Sequence, residues 1–403
     1  MIVKKILFFA QNSEQLQNML EIEKEICDVA TCFYADTSNI YDFKLSPLGE
    51  NSIQVDCANH LNRSFYRLKS IERINYLFLL RNSLKDISKN YDLIVFGNDG
   101  AVQRLLNYYV QKAGNKTVIV LDGMISDYGY SLNDIIFNSD NKFQDVKLLF
   151  KNKLVEIISK SFSGTALSPF LPNLIGSSNI NEIYTIGPHS KKVIEARKHK
   201  STAIFDFGLP RMSNKHPNKL IETTSNTVCY ITGAYKWHGL HSYDKYQHRD
   251  IQMLIECLNK FKPSSIVLYI RIHPRETSAD YAQYFKNDNV FMDECVTVEQ
   301  SFEKYTCFIT QLSTCIVEGM RHGTLVHSMM INFPFWKIKR SFIGDENVIK
   351  ITSCSKLEAI IESLLEGSLK DNLVLADNLI SGLTNISALL ISNNIRKLLY
   401  VDK

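Results

Sequence analysis

The segment Ile266–Glu276, IVLYIRIHPRE, changes abruptly from apolar to polar residues. The run Ile266–Ile270 is typical of a buried strand of a parallel sheet. The residues after it therefore lie at the carboxyl end of a strand, where open α/β sheets bind ligands. His273 precedes a proline, which favours an extended backbone at the histidine. This cluster suits an anionic ligand whose leaving group takes up a proton or a positive charge, and a strand-end histidine in an ordinary loop is the alternative. The candidate binding or catalytic residues here are Arg271, His273, Pro274 and Arg275.

Two aspartates have a similar context in the first half of the chain. Asp122 follows the predicted strand Thr117–Leu121 and precedes Gly123, which permits a tight turn. A carboxylate in that position can act as a general base on a hydroxyl group, or it can simply cap the next helix or organise the turn. Asp99 follows the predicted strand Leu93–Gly97, where we favour helix capping or binding at the sheet edge and treat the residue as the reserve candidate for the base.

A third cluster lies between the predicted strand Cys307–Thr310 and the predicted helix Thr314–His322. Ser313 and Thr314 bring hydroxyl groups to a helix amino terminus, where backbone N–H groups favour an anion such as a nucleotide phosphate. A plain N-cap is the alternative, and the two roles are compatible. Glu318, one turn further on, could contact a ribose or the edge of a base.

A glycine-bounded loop follows the predicted strand Val228–Thr232. It begins at Gly233, ends at Gly239, and carries Lys236 and His238. Such a loop can approach phosphates, but its spacing is not that of a phosphate-binding loop. An ordinary surface turn is an equally good interpretation.

Composition narrows the class of protein. Hydrophobic residues make up 45% and charged residues 22% of the 403 residues, which is typical of globular proteins with two or three domains. The net charge of +4 is too small to indicate a nucleic-acid partner. The nine cysteines show no CxxC spacing and indicate reduced thiols. No HExxH or strand-end DxD pattern occurs, so neither a metal nor another cofactor is expected.

The amino-terminal MIVKKILFFA is short, lacks a small-residue cleavage site, and is interpreted as a first strand. No stretch reaches the roughly 18 apolar residues of a membrane span, so a cytoplasmic location is expected. The segment Lys142–Lys160 is basic and amphipathic. It is either a core-packing helix with solvated lysines or a peripheral contact with an anionic inner-membrane surface.

Strand-like and helix-like segments alternate in both halves, which predicts parallel βαβ units. The predicted strands of the first half are Lys5–Ala10, Val29–Tyr34, Leu93–Gly97, Thr117–Leu121, Ile183–Ile186 and Thr202–Phe205, and its main helices are Ser13–Ile26, Ser70–Ser88 and Ala101–Ala113. The predicted strands of the second half are Val228–Thr232, Ile266–Ile270, Val290–Phe291, Cys307–Thr310 and Leu325–Met329, and its helices are Gln247–Phe261, Thr314–His322, Lys356–Leu365 and Ile380–Leu399.

The polar segment 208–227 interrupts this pattern and is the predicted linker. We therefore expect one domain over residues 1–207 and a second over residues 228–403, which includes the last helices. In a GT-B enzyme these would be the acceptor-binding and the nucleotide-sugar-binding domain. The fold class is α/β, with two Rossmann-like domains facing a central cleft, as in the GT-B architecture. UDP-sugar 2-epimerases use the same arrangement, so the fold does not decide the function.

Three short motifs follow one another along the chain in the order Asp122-Gly123, His273-Pro274 and Ser313-Thr314. Together they resemble the bacterial sialyltransferase and polysialyltransferase group of capsule and lipopolysaccharide biosynthesis. That group has an acidic-acidic-glycine motif, an HP motif and a paired-hydroxyl motif. This chain has Leu121 in place of the first acidic residue, and Asn98-Asp99-Gly100 matches the motif equally incompletely.

The resemblance implies a metal-independent, inverting transfer of a nonulosonic acid from a CMP-activated donor to a surface-glycan acceptor. Asp122 would be the general base, His273 would protonate or stabilise the departing phosphate, and Ser313 with Thr314 would hold it. Gly233, Lys236, Arg271, Pro274, Arg275 and Glu318 complete the candidate donor site. A Kdo transferase, a CDP-glycerol-type glycerophosphotransferase of teichoic-acid synthesis, a UDP-sugar 2-epimerase and a non-catalytic glycan- or nucleotide-binding protein are the alternatives.

Overall fold

A computed structural model describes residues 3–41, 51–55, 64–139, 141–213, 226–236, 240–261, 266–322, 324–343, 350–367 and 386–400. The chain divides into two compact units. The first comprises Met1–Ile125, Ser131–Asn214 and Ile380–Lys403, and the second comprises Ser126–Tyr130 and Lys215–Leu379.

The first unit is built on a seven-stranded parallel sheet, in which the strand order is β3-β2-β1-β4-β5-β7-β8. Its strands are β1 Lys4–Phe9, β2 Ala30–Asp36, β3 Ser52–Gln54, β4 Leu93–Phe96, β5 Lys116–Val120, β7 Glu182–Thr185 and β8 Ala203–Asp206. Its helices are α1 Ser13–Lys24, α2 Ser70–Asn90, α3 Ala101–Ala113, α4 Leu132–Asn138, α5 Lys142–Phe162, α6 Pro188–Glu195 and α11 Ser387–Tyr400. Short 3-10 turns occur at Phe65–Arg67, Ser168–Phe170 and Pro210–Met212.

The apolar runs become the central strands of this sheet. All four residues of β4 are buried, as are the last four residues of β1 and of β5. Burial on both faces is what a parallel sheet covered by helices requires. The apolar runs therefore predict the middle of the sheet well, whereas the exposed edge strand β3 has no such run and was not predicted.

The second unit has a six-stranded parallel sheet, in the order β11-β10-β9-β12-β13-β15. Its strands are β9 Thr227–Ile231, β10 Val267–Arg271, β11 Val290–Met292, β12 Cys307–Thr310, β13 Leu325–Met329 and β15 Lys350–Ile351. Its helices are α7 His241–Lys260, α8 Val298–Lys304, α9 Cys315–Arg321 and α10 Cys354–Leu365, with 3-10 turns at Ser278–Asp280, Tyr284–Lys286 and Phe335–Lys337.

A small antiparallel pair also belongs to the second unit. It joins β6, Asp127–Tyr128, to β14, Ile338–Arg340. These strands have two and three residues, too few for an alternating pattern to be recognised in the sequence.

The domain boundaries differ from the predicted ones at the carboxyl terminus. Helix α11 was expected in the second domain, but it belongs to the first unit and packs against α1. Its Ile391 and Ile395 are fully buried in the core formed with β1. The Arg396 guanidinium also binds the Asp28 carboxylate at 2.6 and 2.9 Å. Packing between distant segments, and not their order in the sequence, therefore decides to which unit α11 belongs.

The predicted linker 208–227 is only partly described. Residues 208–213 belong to the first unit, and residues 214–225 lie outside the described part of the chain. Within the described ranges, no helix is long and apolar enough to cross a membrane.

Candidate functional site

The second sheet changes direction at β9, because β10 and β11 lie on one side of it and β12 and β13 on the other. Such a switch point opens a crevice at the carboxyl ends of the strands. Adjacent strands lie about 4.8 Å apart, so the ends of β10, β9 and β12 fall within about 10 Å. The loops that begin near Gly233, His273 and Ser313 therefore meet at one edge of this sheet, which unites three of the predicted clusters.

His273 is fixed in this edge by two backbone contacts. Its N–H donates to the Thr232 hydroxyl oxygen at 2.8 Å. Its ring Nδ1 accepts the N–H of Arg275 at 3.1 Å. A nitrogen that accepts a hydrogen bond carries no proton, so the neutral ring has its proton on Nε2. Half-buried His273 is thus prepared to donate a hydrogen bond from Nε2.

A series of hydrogen-bonded side chains holds Thr232, whose hydroxyl oxygen accepts the His273 N–H. The Thr232 hydroxyl donates to Glu276 Oε2 at 3.0 Å, and the Tyr281 hydroxyl donates to the same oxygen at 2.5 Å. Gln247 Nε2 donates to the Tyr281 oxygen at 2.8 Å, and Gln247 Oε1 accepts the Gly233 N–H at 2.6 Å. Burial raises the pKa of Glu276. Two of the predicted loops are thereby joined through residues that the sequence analysis did not single out.

Arg271 lies at the end of β10 and takes part in a buried ion pair. Its Nη1 donates to Asp293 Oδ2 at 2.7 Å, to the Ser301 hydroxyl at 2.8 Å and to the Cys295 carbonyl at 3.0 Å. Burial opposes ionisation of Asp293, but the hydrogen bonds from Ser301 and Arg271 outweigh it and lower the pKa of Asp293 to about 2. The structure thus gives Arg271 an internal contact that its predicted phosphate-binding role did not include.

The remaining cations of this edge are more exposed. Lys236 Nζ lies 2.5 Å from Asp280 Oδ1 in an ion pair. Pro274 and Arg275 are exposed on the loop after His273. His238 lies outside the described residues, so its predicted contribution is not tested.

The paired hydroxyls lie at the start of α9. The helix begins at Cys315, one residue later than predicted, and the Cys315 N–H donates to the Ser313 hydroxyl oxygen at 3.2 Å. The Thr314 carbonyl accepts the Glu318 N–H at 3.2 Å. Glu318 is buried, whereas Ser313 and Thr314 are partly exposed at the switch point. The Ser313 hydroxyl therefore orders the turn that enters α9, and its position is compatible with an anion.

Behind this loop lies a buried polar group that the sequence analysis missed. Asp250 of α7 accepts hydrogen bonds from Gln311 at 2.5 Å and from Asn332 at 2.7 Å. Burial raises the pKa of Asp250 to about 6.

His327 of β13 is fully buried, and neither ring nitrogen has a hydrogen-bond partner among the described residues. Burial lowers the pKa of His327 to about 4.

In the first unit, Asp122 lies directly after β5 and is held by two amides. Its Oδ2 accepts from Asn12 Nδ2 at 3.0 Å and from Gln15 Nε2 at 2.9 Å. The Asp122 carbonyl accepts from Arg211 Nη1 at 3.0 Å. Asn12 also caps α1 by accepting the Gln15 N–H at 2.8 Å. The carboxylate is oriented through one oxygen, and Oδ1 lies outside these two bonds.

Gly97, at the end of β4, provides the space for this clamp. A Cβ atom at Gly97 would lie 2.0–2.4 Å from side-chain atoms of Gln15, closer than any real contact. Gln15 can therefore pass over the strand end towards Asp122 only because residue 97 is glycine.

Asp99 has a different role from the predicted cap. The N-cap of α3 is Gly100, which makes no side-chain cap, so the capping prediction is corrected. The buried Asp99 carboxylate instead accepts from the Ser178 hydroxyl at 2.8 Å, the Gly176 N–H at 3.1 Å and Asn173 Nδ2 at 3.1 Å. These bonds anchor the loop before β7, and they leave Asp99 a poor candidate for a base.

In the described part of the chain, no group of three or more His, Cys, Asp or Glu residues is arranged to hold a metal ion. The hydrogen-bond donors at the two sheet edges are amides, hydroxyls, an imidazole, backbone N–H groups and the cationic groups of Arg211, Lys236 and Arg271. Such a set binds phosphates and hydroxyls and can move a proton.

No family model and no curated protein matches this sequence. Solved structures do resemble the whole chain. A protein from Listeria monocytogenes assigned as a UDP-N-acetylglucosamine 2-epimerase has a TM-score of 0.57 and 11% identity, covering 100% of this chain and 98% of its own. The calicheamicin glycosyltransferase CalG4 has a TM-score of 0.52 and 12% identity, covering 99% of each chain. The wall teichoic acid polymerase TagF has a TM-score of 0.53 and 10% identity, covering 98% of this chain and 89% of its own.

These likenesses show the fold. The chain consists of two Rossmann-like α/β domains with parallel sheets, of the type found in GT-B proteins, and this confirms the predicted fold class.

Proposed function

We propose that this protein is an inverting, metal-independent glycosyltransferase that moves a nonulosonic acid from a CMP-activated donor to a surface-glycan acceptor. The observation that carries the proposal is the fixed tautomer of His273 at the switch point of the second sheet. Its Nδ1 accepts the Arg275 N–H, so Nε2 is a hydrogen-bond donor at neutral pH. The departing CMP phosphate gains negative charge, which a preorganised donor stabilises without a metal.

The second unit supplies the nucleotide site in this proposal. The Ser313–Thr314 loop lies across β9 from His273, and both flank the carboxyl end of that strand. Hydroxyl and backbone N–H groups there would hold the CMP phosphate, while Nε2 of His273 stabilises its charge. Arg271, paired with Asp293, would contribute mainly by fixing the shape of the β10 loop.

The first unit supplies the base in this proposal. Asp122 would take the proton of the acceptor hydroxyl as that oxygen attacks the anomeric carbon. A bond from carbon to the acceptor oxygen forms, the bond from carbon to the phosphate oxygen breaks, and CMP leaves with the electron pair. One displacement inverts the configuration. The amides of Asn12 and Gln15 hold Oδ2 and thereby orient the carboxylate.

Thermal unfolding with CMP, CDP, UMP, UDP and GDP at matched concentration tests the donor class. A ligand at about 100 times its dissociation constant adds about 2.7 kcal/mol of stability. We expect selective stabilisation by CMP that is lost in His273→Ala and in Ser313→Ala. Stabilisation by UDP but not by cytidine nucleotides would reject the CMP donor.

A second candidate is a glycerophosphotransferase that uses a CDP-glycerol-type donor. The observation that favours it is the likeness to TagF, which was solved after soaking with CDPG. Cytidine recognition and a phosphate-stabilising His273 serve both reactions. Selectivity for CDP over CMP would favour this candidate. A UDP-sugar 2-epimerase, which the Listeria likeness recommends, would convert its substrate with no acceptor present.

A further inference from the structure

Helix α5 of the first unit exposes most of its large apolar side chains. Phe143, Phe150, Leu154 and Ile157 are 81, 63, 57 and 62% exposed. The three buried residues of the helix are Asp145, Leu149 and Ser159, of which two are polar. A helix that packs a core has the opposite pattern. The core-packing interpretation of this segment is therefore corrected: the apolar face of α5 points away from the protein.

Four of the five exposed large apolar residues of α5 form one stripe, and Phe162, which is 37% exposed in the last turn, lies outside it. At 100° per residue, Phe143, Phe150, Leu154 and Ile157 fall within an arc of about 60°, on the side opposite to the buried residues. Helix α4 contacts α5, and the Ser139 hydroxyl at its end donates to Asp145 at 2.6 Å. This neighbour adds further exposed apolar side chains, namely Leu132, Ile136 and Phe137. We call these seven apolar residues the α4–α5 patch.

Lysines flank the stripe on both sides. On the same helical projection, Lys147 and Lys151 lie along one border and Lys142, Lys153 and Lys160 along the other, and all five are exposed. The two acidic residues of α5 do not neutralise them. Asp145 is buried, and Glu156 pairs with Lys160 at 2.8 Å. Among the described residues, the other four lysines form no ion pair.

We propose that the α4–α5 patch lies on the surface of an anionic lipid bilayer. An apolar stripe between two rows of lysines matches an interface in which acyl chains lie beneath negative headgroups. Helix α5 spans about 31 Å at 1.5 Å per residue, enough for all four apolar side chains to enter the same plane. The helix is too polar to cross the bilayer, in keeping with the absence of a spanning helix from the described residues.

The test is co-sedimentation of the full chain with phosphatidylglycerol vesicles and with phosphatidylcholine vesicles. We expect binding to the anionic vesicles that weakens strongly at about 0.5 M salt, where charge attraction is screened, and little binding to the neutral ones. Phe150→Ser should weaken binding at least tenfold, because it removes an aromatic side chain that would lie among the acyl chains of the bilayer. Lys147→Gln and Lys151→Gln should each weaken it about fivefold, which corresponds to about 1 kcal/mol per lysine.

Val296→Ser is the matched control, because Val296 is 87% exposed and belongs to the second unit, not to α4 or α5. It should leave vesicle binding unchanged, and both serine variants should melt like the parent. Absence of binding, equal binding to both lipids, or full binding by Phe150→Ser would overturn the proposal. A dimer that Phe150→Ser dissociates would assign the patch to a second copy of the chain instead. Vesicle binding needs neither donor nor acceptor, so this result is independent of the proposed transfer reaction.

Discussion

The carboxyl edges of the two sheets hold their key side chains in opposite ways. In the first unit, neutral amides converge on the carboxylate of Asp122. In the second unit, backbone and hydroxyl groups fix His273, while the neighbouring cations Arg271 and Lys236 are paired with aspartates. The two amides orient the Asp122 carboxylate, whereas a hydroxyl oxygen and a backbone N–H orient His273. In the proposed reaction the first of these edges supplies the proton acceptor and the second supplies the hydrogen-bond donor.

The largest effect is expected at His273, because it contacts the leaving group in the proposed reaction. His273→Ala should reduce kcat by about 10²–10⁴-fold, the usual range for a group that acts by proton transfer or charge stabilisation. The measurement is steady-state release of CMP from a CMP-activated donor. A well-folded alanine variant within about threefold of the parent would remove the histidine from the reaction.

Two amide variants sharpen the role of the ring. The Gln side chain can place an N–H near the position of Nε2, whereas Asn reaches only the position of Nδ1. If Nε2 acts as a hydrogen-bond donor, His273→Gln should retain clearly more activity than His273→Asn, and its rate should vary less with pH below 7. Equal losses in both variants would indicate instead that the histidine transfers a proton.

The amide clamp of the first edge can be broken without touching the carboxylate. Gly97→Ala would place a Cβ atom 2.0 Å from Gln15 Cδ, so the Gln15 side chain must leave Asp122. A misplacement of about 1 Å costs about 10²-fold in rate. We expect kcat to fall by up to that factor while CMP binding, measured by calorimetry, stays the same.

Gln15→Ala supplies the control for this substitution. Because both changes act through the same contact, the double variant should be no slower than the slower single variant. Fully additive losses would mean that Gly97 affects turnover by another route.

The support of the second edge can be weakened at Thr232. Thr232→Val removes the oxygen that accepts the His273 N–H and the donor to Glu276. Leaving these groups unsatisfied should cost about 1–3 kcal/mol in the free energy of unfolding, measured with urea. Turnover should also fall, because the histidine loses an anchor.

Thr310→Val is the matched variant, since the Thr310 hydroxyl donates to the Ile231 carbonyl in the same sheet, at 2.9 Å, and does not contact His273. It should lower stability with little change in kcat. Equal losses of kcat in the two variants would contradict a specific role for Thr232.

The smallest effect concerns His327 of the same unit, whose ring nitrogens have no hydrogen-bond partner in the described part of the chain. The pKa of His327 falls from 6.5 to about 4 on burial, so the unfolded chain takes up a proton first as the pH drops. The folded protein therefore loses stability relative to the unfolded chain as the pH falls from 6.5 to about 4. From pH 7 to pH 5 the parent should lose about 2 kcal/mol more than His327→Leu. Parallel pH profiles of unfolding would contradict this.

The sequence predicted the strands better than their contacts. The strands Cys307–Thr310 and Leu325–Met329 were predicted to the residue. The ends of the first are marked by the polar residues Thr306 and Gln311 on either side of a buried run. Helix α7 begins at His241, six residues before the predicted Gln247, because its first turns are polar and aromatic and show no apolar period. No local sequence pattern indicates the unit to which α11 belongs, since this membership depends on packing between distant segments.

The positions of two candidate residues could be predicted from local pattern, but their contacts could not. Strand-end position alone placed His273 and Asp122 at the carboxyl edges of the two sheets, because neighbouring residues mark where a strand ends. Their partners were missed. Gln15 reaches Asp122 across 107 residues of sequence, and Thr232 reaches His273 across 41. Asp99 was given a local capping role, whereas its partners lie 74–79 residues further along the chain.

The measurement that tests the account most directly is the kcat of Asp122→Asn at saturating CMP-activated donor, beside that of Asp99→Asn. The account predicts that Asp122→Asn loses about 10²–10⁴-fold in kcat with an unchanged affinity for CMP. Asp99→Asn, whose carboxylate anchors a loop, should unfold more easily but turn over like the parent when folded. Retention of kcat by Asp122→Asn, or its loss in a folded Asp99→Asn, would contradict the assignment of the base.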